Sequence, residues 1–287
     1  MKNGLIYSLL TAVLFVTLEP VSKLIAGDIS PYAITFWRFL IGVLILLPPA
    51  IRKIRQNHLH ITPRALLVAW FLGVLFICIS MVSLQIGVKI ADSPSIIAII
   101  FSSNSIFTIV FSMLLLHEKL TKNKALALLF GTIGVLFCAD FSSGTNLLSI
   151  LLGLFAALSF SLYTVLTRKF AKAIGGIVQT ALVFLFGSLT LFFVLLFTRQ
   201  PLFPAMTPST FAILAYLGLF VTGVGYAAYF LAIEKGGPIM GSLAFFIKPI
   251  LTPFVTLFIN GVVPDFRVLV AVLFIVAASV FAVYKKK

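Results

Sequence analysis

Apolar runs of about twenty residues alternate with short polar breaks along the whole chain. Within each run the hydrophobic positions lie nearly all round the helical repeat instead of along one stripe, as in helices that face lipid or protein on every side. A run of about 20 such residues is long enough to cross a bilayer as a helix. Read between breakers, the pattern predicts ten spans: 5–26, 31–51, 65–87, 94–116, 125–141, 147–167, 177–198, 209–233, 239–259 and 267–284. Pro31, Pro94, Pro208 and Pro238 stand at or beside span starts, where a missing N–H costs nothing. The fifth span is short.

Composition agrees with the pattern. The chain of 287 residues is 61% hydrophobic and 10% charged, where a soluble domain carries about 25% charged residues. Mean hydropathy is +1.21. Ten spans with short connections use nearly all of the length, which leaves no room for a separate soluble domain of ordinary size. The expected fold class is therefore all-α integral membrane. The start, MKNGLIYSLL, runs on to about Ala26 without a cleavage site and reads as a retained first helix, not a removed signal.

A net charge of +14 raises the question of nucleic acid, but the basic residues form no patch. They sit between the apolar runs. With the N-terminus inside, fifteen of the 21 Lys and Arg fall on the inner side and only Lys89, Arg199 and Arg267 on the outer. Asp28, Asp92, Asp140 and Asp265 fall outside. This is the positive-inside bias of a cytoplasmic-membrane protein with both termini in the cytoplasm. The basic loop RKIRQNHLHITPR reads as a topology determinant beside anionic lipid.

The chain also aligns with itself at an offset near 145. Ala12, Phe15 and Lys23 fall on Ala157, Phe160 and Arg168, and Leu72-Gly73 falls on Leu217-Gly218. After a one-residue slip, Pro94, Thr108, Leu129 and Phe130 fall on Pro238, Thr252, Leu273 and Phe274. Two units follow, 1–143 and 144–287, of five spans each. Five is odd, so the second unit enters the membrane from the opposite side. Secondary transporters use such inverted repeats to build alternating access around a central cavity near mid-membrane.

TFWRFLIGVLILLP in the second span and LLLHEKLTKNKALALLFGTIGVLF across the fourth and fifth resemble the EamA-type branch of the drug/metabolite transporter superfamily. LLGLFAALSFSLYTVLTRKF, opening the second unit, and GSLAFFIKPILTPFVTLFINGVVPD in the ninth span do so too. The resemblance covers nearly the whole chain. It implies a cytoplasmic-membrane carrier, often an exporter of amino acids or other small metabolites, with two five-helix repeats around a central cavity.

Charges in the bilayer core cost from ~2.5 to more than 10 kcal/mol and mark function by default. Glu19, Arg38 and Lys248 qualify, whereas Lys23 lies near a helix end and can snorkel. At a rise of ~1.5 Å per residue, Glu19 and Arg38 lie roughly 20 Å from the inner ends of their helices and Lys248 roughly 13 Å. Glu19 and Arg38 share a level, so they can neutralise each other and pin two helices. The Lys248 stem can also reach Glu19. Pro20 frees the Val16 carbonyl and makes a kink beside the acid, which leaves Glu19 a candidate proton carrier. Lys248 maps onto Asn104 in the repeat, so equivalent helices put a polar group at one level. An ammonium suits a carboxylate and an acid suits an amine. Together they point to a zwitterion such as an amino acid, with a Lys248–Glu19 bridge as the closed, empty alternative. Tyr163, Tyr226 and Tyr229 are candidate lining. Gln179 and Gln85 are weaker ones.

No acid–base–nucleophile set, metal-ligand spacing or phosphate-cradling loop is present, so no enzyme activity and no cofactor are expected. Cys78 and Cys138 read as small hydrophobes. The expected partners are a small-molecule substrate and the lipid bilayer, with no nucleic acid, in a monomer or homodimer. The leading reading is a secondary exporter of amino acids or related zwitterions. The alternatives are an uncoupled facilitator or channel, or a proton-coupled importer of an organic anion.

Overall fold

The computed structural model describes residues 2–138, 146–170, 174–202, 206–236 and 238–283. Among these residues every regular element is a helix, and the helices follow one another along ten rods. The first rod is α1 (Lys2–Val16) with α2 (Leu18–Leu24), and the second is α3 (Pro31–Gln56). The third joins α4 (Pro63–Gly73), a π-helical segment π1 (Val74–Met81) and α5 (Val82–Ile90). The fourth is α6 (Pro94–Ser102) with α7 (Asn104–Leu116), and the fifth is α8 (Lys122–Cys138). The sixth and seventh are α9 (Leu147–Phe170) and α10 (Gly176–Phe197). The eighth joins α11 (Pro208–Tyr216), π2 (Leu217–Val224) and α12 (Gly225–Gly236). The ninth and tenth are α13 (Pro238–Asn260) and α14 (Phe266–Val283).

Seven of these rods are long and apolar enough to cross a membrane; Ile247–Asn260 and Phe266–Phe281 are shorter apolar helices. Their outer surface is greasy, with Phe258 86% and Leu273 70% exposed, so the medium that suits it is lipid. Asp140, Lys172, Lys285, Lys286 and Lys287 lie outside the described residues, as does the side chain of Cys138.

The helix starts follow from local chemistry. Ser30, Thr62 and Thr207 each stand before a proline and accept a hydrogen bond from the backbone N–H three residues on, which satisfies one orphan donor of the first turn. The second rod runs past its expected end at 51 to Gln56. Its last turn carries Lys53 and Arg55, which complement the helix C-terminus in a polar setting.

Glycines set the closest approaches. A Cβ on Gly73 would meet the backbone of Gly187 and Val183 at 2.7 Å, so the third and seventh rods touch through their main chains. The second and eighth rods meet side chain to glycine, where a Cβ on Gly218 would lie 2.6 Å from the Ile41 side chain and one on Gly223 2.7 Å from that of Ile45. Small residues allow such close helix contact in a membrane. The fifth and tenth rods pack on each other at the side of the bundle, where Phe130 stacks on Phe281 at 5.5 Å. The third and eighth rods are not the plain α-helices the sequence suggests. Each carries an eight-residue π segment whose wider turn shifts the side chains that follow it.

Candidate functional site

The first rod breaks beside the acid. The helix is interrupted at Thr17, between α1 and α2, and Pro20 offers no N–H to the Val16 carbonyl. Thr17 instead ties its hydroxyl to the Leu14 carbonyl at 2.8 Å and pairs with the Tyr216 hydroxyl at 2.9 Å. Beyond the break, Asn260 at the end of the ninth rod donates to the Pro20 carbonyl at 3.1 Å. The ninth rod carries Pro249 and Pro253 inside it, and the Thr252 hydroxyl donates to the Lys248 carbonyl at 2.7 Å. These interruptions turn two long side chains toward each other. Lys248 Nζ donates to Glu19 Oε1 at 2.6 Å, with the two side chains 3% and 0% exposed. Lys248 Nζ also stands 5.5 Å over the Phe101 ring.

Arg38 shares the neighbourhood but not the bond. It is 2% exposed, its Cζ lies 4.7 Å over the Phe39 ring, and it is within electrostatic reach of Tyr226 and Glu19. Its Nε and Nη1 have no hydrogen-bond partner, nor has Glu19 Oε2. The expected Glu19–Arg38 pair is therefore not formed, because Lys248 on the ninth rod takes the carboxylate. The formal charges of the three sum to one excess positive. Leaving a buried donor unpaired costs about 1–3 kcal/mol, and more when it is charged.

A cavity of about 20 Å³ lies at this cluster, room for about one water. Arg38, Thr222, Tyr226 and Lys248 supply its polar wall; Phe15, Phe101, Phe160 and Phe245 supply most of the rest. Met81 closes it from π1, and Thr222 from π2 bonds back to the Leu217 carbonyl at 2.9 Å. Of the predicted tyrosines only Tyr226 lines it. Tyr163 stacks on Phe76 at 4.5 Å, and Tyr229 lies edge-on to Phe245 at 5.8 Å; both stand behind the wall. Asn104 is not a cavity residue. Its side-chain amide donates to the Phe101 carbonyl at 2.8 Å, and its backbone carbonyl accepts from the Ser161 hydroxyl at 2.7 Å. The chain turns at Ser103, and Asn104 serves the break between α6 and α7 instead of facing a ligand.

The sequence reading missed the four phenylalanines, although a signal was there. Phe15 falls on Phe160 at the offset near 145, and Phe101 falls on Phe245 after the one-residue slip. Lys23, near the end of its rod, sets its Nζ on the Lys89 carbonyl at 2.8 Å and the Ala91 carbonyl at 2.5 Å. At the other end Glu118 binds Lys124 at 2.8 Å and Arg168 at 3.4 Å. The Lys124 hydrogen bond, outweighing a small burial penalty, holds the Glu118 carboxyl below the usual carboxylate range. Among the described residues no group of His, Cys, Asp and Glu could hold a metal ion.

Three kinds of likeness bear on this geometry. Matched against protein families, residues 2–139 and again residues 147–284 fit the EamA-like transporter family. An "Uncharacterized transporter" of Clostridium kluyveri is 32% identical, over 98% of this chain and 93% of its own. The "Uncharacterized transporter YyaM" of Bacillus subtilis is 26% identical, over 88% and 85%. A solved structure titled only "Crystal structure of protein" superposes with a TM-score of 0.68 at 18% identity, over 99% of this chain and 97% of that one, a likeness of fold alone. The helical bundle, its lipid-suited surface and the two family matches together make this a multi-pass membrane protein that belongs to the EamA-like transporter family.

Proposed function

We propose that the protein is a secondary carrier in the cytoplasmic membrane that exports amino acids or related zwitterions by alternating access. One observation carries the reading. Two buried cations, Arg38 and Lys248, line a small cavity, and the buried Glu19 carboxylate is bonded to Lys248 without lining it, so the site offers a carboxylate-binding face (Arg38, Lys248) and, once the Lys248 bridge opens, an amine-binding group (Glu19). A cavity of about 20 Å³ holds no solute, so the Lys248–Glu19 bridge stands as the collapsed, empty state. A zwitterion replaces that bridge at both ends, its amine on Glu19 and its carboxylate on Lys248 and Arg38.

Alternating access needs two halves that can exchange roles, and the packing supports units 1–143 and 144–287 as those halves. The second rod packs on the eighth, the seventh on the third, and the fifth on the tenth, which is how units related by an in-plane two-fold axis pack. Two family matches of five rods each and a π segment in the third rod of each unit support the same reading. Ten spans with both termini in the cytoplasm then follow from the charge bias. A channel would need a continuous polar pore, and phenylalanine walls do not supply one.

The excess positive charge favours one second reading, an organic anion whose carboxylate alone neutralises the site. Proteoliposome counterflow with labelled amino acids and labelled carboxylates separates the two. Exchange of a neutral amino acid that is lost in both Lys248→Ala and Glu19→Gln supports the zwitterion. Exchange of a carboxylate that survives Glu19→Gln supports the anion. No saturable exchange from folded protein removes the carrier reading of this site.

A further inference from the structure

A partnerless buried amide also lies away from the central site, in the inner half of α10. Both ends of the Gln179 amide have no hydrogen-bond partner, although Gln179 is 2% exposed. Buried polar groups in folded proteins nearly always find partners, so such a group asks for a ligand or water. Gln179 lines a cavity of about 180 Å³, bounded by Thr62, Arg64 and Val68 on one side and Phe170 and Ile174 on the other. The share of one water in the liquid is about 30 Å³, so a carboxylate with a few carbons fits.

The electrostatics of this cavity have one sign. Gly175 precedes α10 with φ +79°, and among the described residues no side chain caps that helix, so its N-terminus, just beyond the lining Ile174, carries about half a positive charge. The N-terminus of α4 opens at the same cavity, with its Thr62 cap and Arg64 on the lining. Lys53 lies along Gly175, its Cε 3.9 Å from where a Cβ would stand. Among the described residues no acid lines the cavity. Toward the bundle centre the Tyr163 hydroxyl stands beside the Thr167 and Thr180 hydroxyls, and the Tyr163 ring stacks on Phe76 next to the central aromatic wall.

We infer that the inner ends of α4, α9 and α10 form a second binding site, for the oxyanion of a small ligand, built from the uncapped α10 N-terminus, the Gln179 amide and Arg64. Thr180, Thr167 and Tyr163 continue it as a polar path toward the central site. Oxyanion binding stands on this geometry alone; its use as a loading vestibule rests on the carrier reading.

The test reads binding without transport. Val68→Cys, in a background with both native cysteines changed to Ala, puts one thiol on the cavity wall of the full chain in liposomes. An anionic and a cationic methanethiosulfonate are compared there, each corrected by its rate with free glutathione. The anionic reagent is expected to react about tenfold faster, the lower end of electrostatic steering into a cleft. Inorganic phosphate should slow it, and Arg64→Gln or Gln179→Leu should remove both effects. Equal corrected rates, no reaction at all, or a preference untouched by both substitutions overturns the site. Phosphate protection in phosphatidylcholine liposomes identifies a soluble oxyanion. Protection that appears only when phosphatidylglycerol is added identifies a lipid phosphate and removes the vestibule role. Counterflow can fail while the charge-selective labelling stays, so the two proposals fail separately.

Discussion

Glu19→Gln should destabilise this protein more than Lys248→Met, although the two residues share one bond. The pair is fully buried at 2.6 Å, and removing one partner of such a pair costs about 3–5 kcal/mol because the other charge is left uncompensated. The third charge breaks the symmetry. Glu19→Gln leaves Lys248 and Arg38 together, a formal charge of +2, whereas Lys248→Met leaves Glu19 near Arg38 at formal neutrality. The first variant should therefore lose the full amount, which for a chain of this size is about 6–10 °C or more in apparent Tm. The second should lose less than half of that. The double variant should be milder than Glu19→Gln, since it leaves Arg38 alone, a formal charge of +1 instead of +2. The assay is size-exclusion chromatography of detergent-solubilised protein after a heating series, at fixed heating time because membrane proteins unfold irreversibly. Equal losses in the two single variants would refute the role given to Arg38. Additive losses in the double variant would refute the coupling itself.

Glycine contacts give a matched pair on the same assay. Gly73→Ala pushes a methyl against the Gly187 and Val183 backbone at 2.7 Å and should cost about 1–3 kcal/mol, whereas Gly27→Ala meets nothing within 4 Å and should be neutral. Comparable losses in both would remove the close third–seventh rod contact. A pH series on Glu118→Gln tests the cluster of Glu118, Lys124 and Arg168. The Glu118 carboxyl titrates below its ordinary value of 4.5, so its ion pairs stabilise the folded state fully above 4.5 and are lost as pH falls below it through the lowered value of the folded state. The wild type should lead the variant by up to about 1 kcal/mol at neutral pH, and the gap should close in acid. A gap that is constant with pH would show that charge is not its source.

The rods were legible in the sequence to within a few residues, because in lipid every backbone N–H and C=O must be satisfied within a helix. A bilayer also fixes how many apolar residues that takes. Pro31, Pro94, Pro208 and Pro238 each open a helix as read. That the Lys248 stem can reach Glu19 was legible for the same reason, since rise per residue converts position into relative height. The four cavity phenylalanines were partly legible, paired by the internal offset but lost among thirty phenylalanines. The π segments were not legible at all. VLFICISM and LGLFVTGV are uniformly apolar, and the extra residue per turn is decided by what each segment packs against.

Height along a helix is local, and rotation about its axis is not. Where hydrophobic residues run all round, the sequence carries no rotational phase, so it can say that Glu19, Arg38, Asn104 and Lys248 lie deep but not which of them meet. Only the packed bundle decides that Lys248 takes the carboxylate and that Arg38 keeps an open guanidinium beside Tyr226. Packing also turns Asn104 onto its own backbone. The chain alone determined a helical membrane protein with buried charge; glycine contacts between rods distant in sequence, and the breaks at Thr17 and Ser103, determined the site.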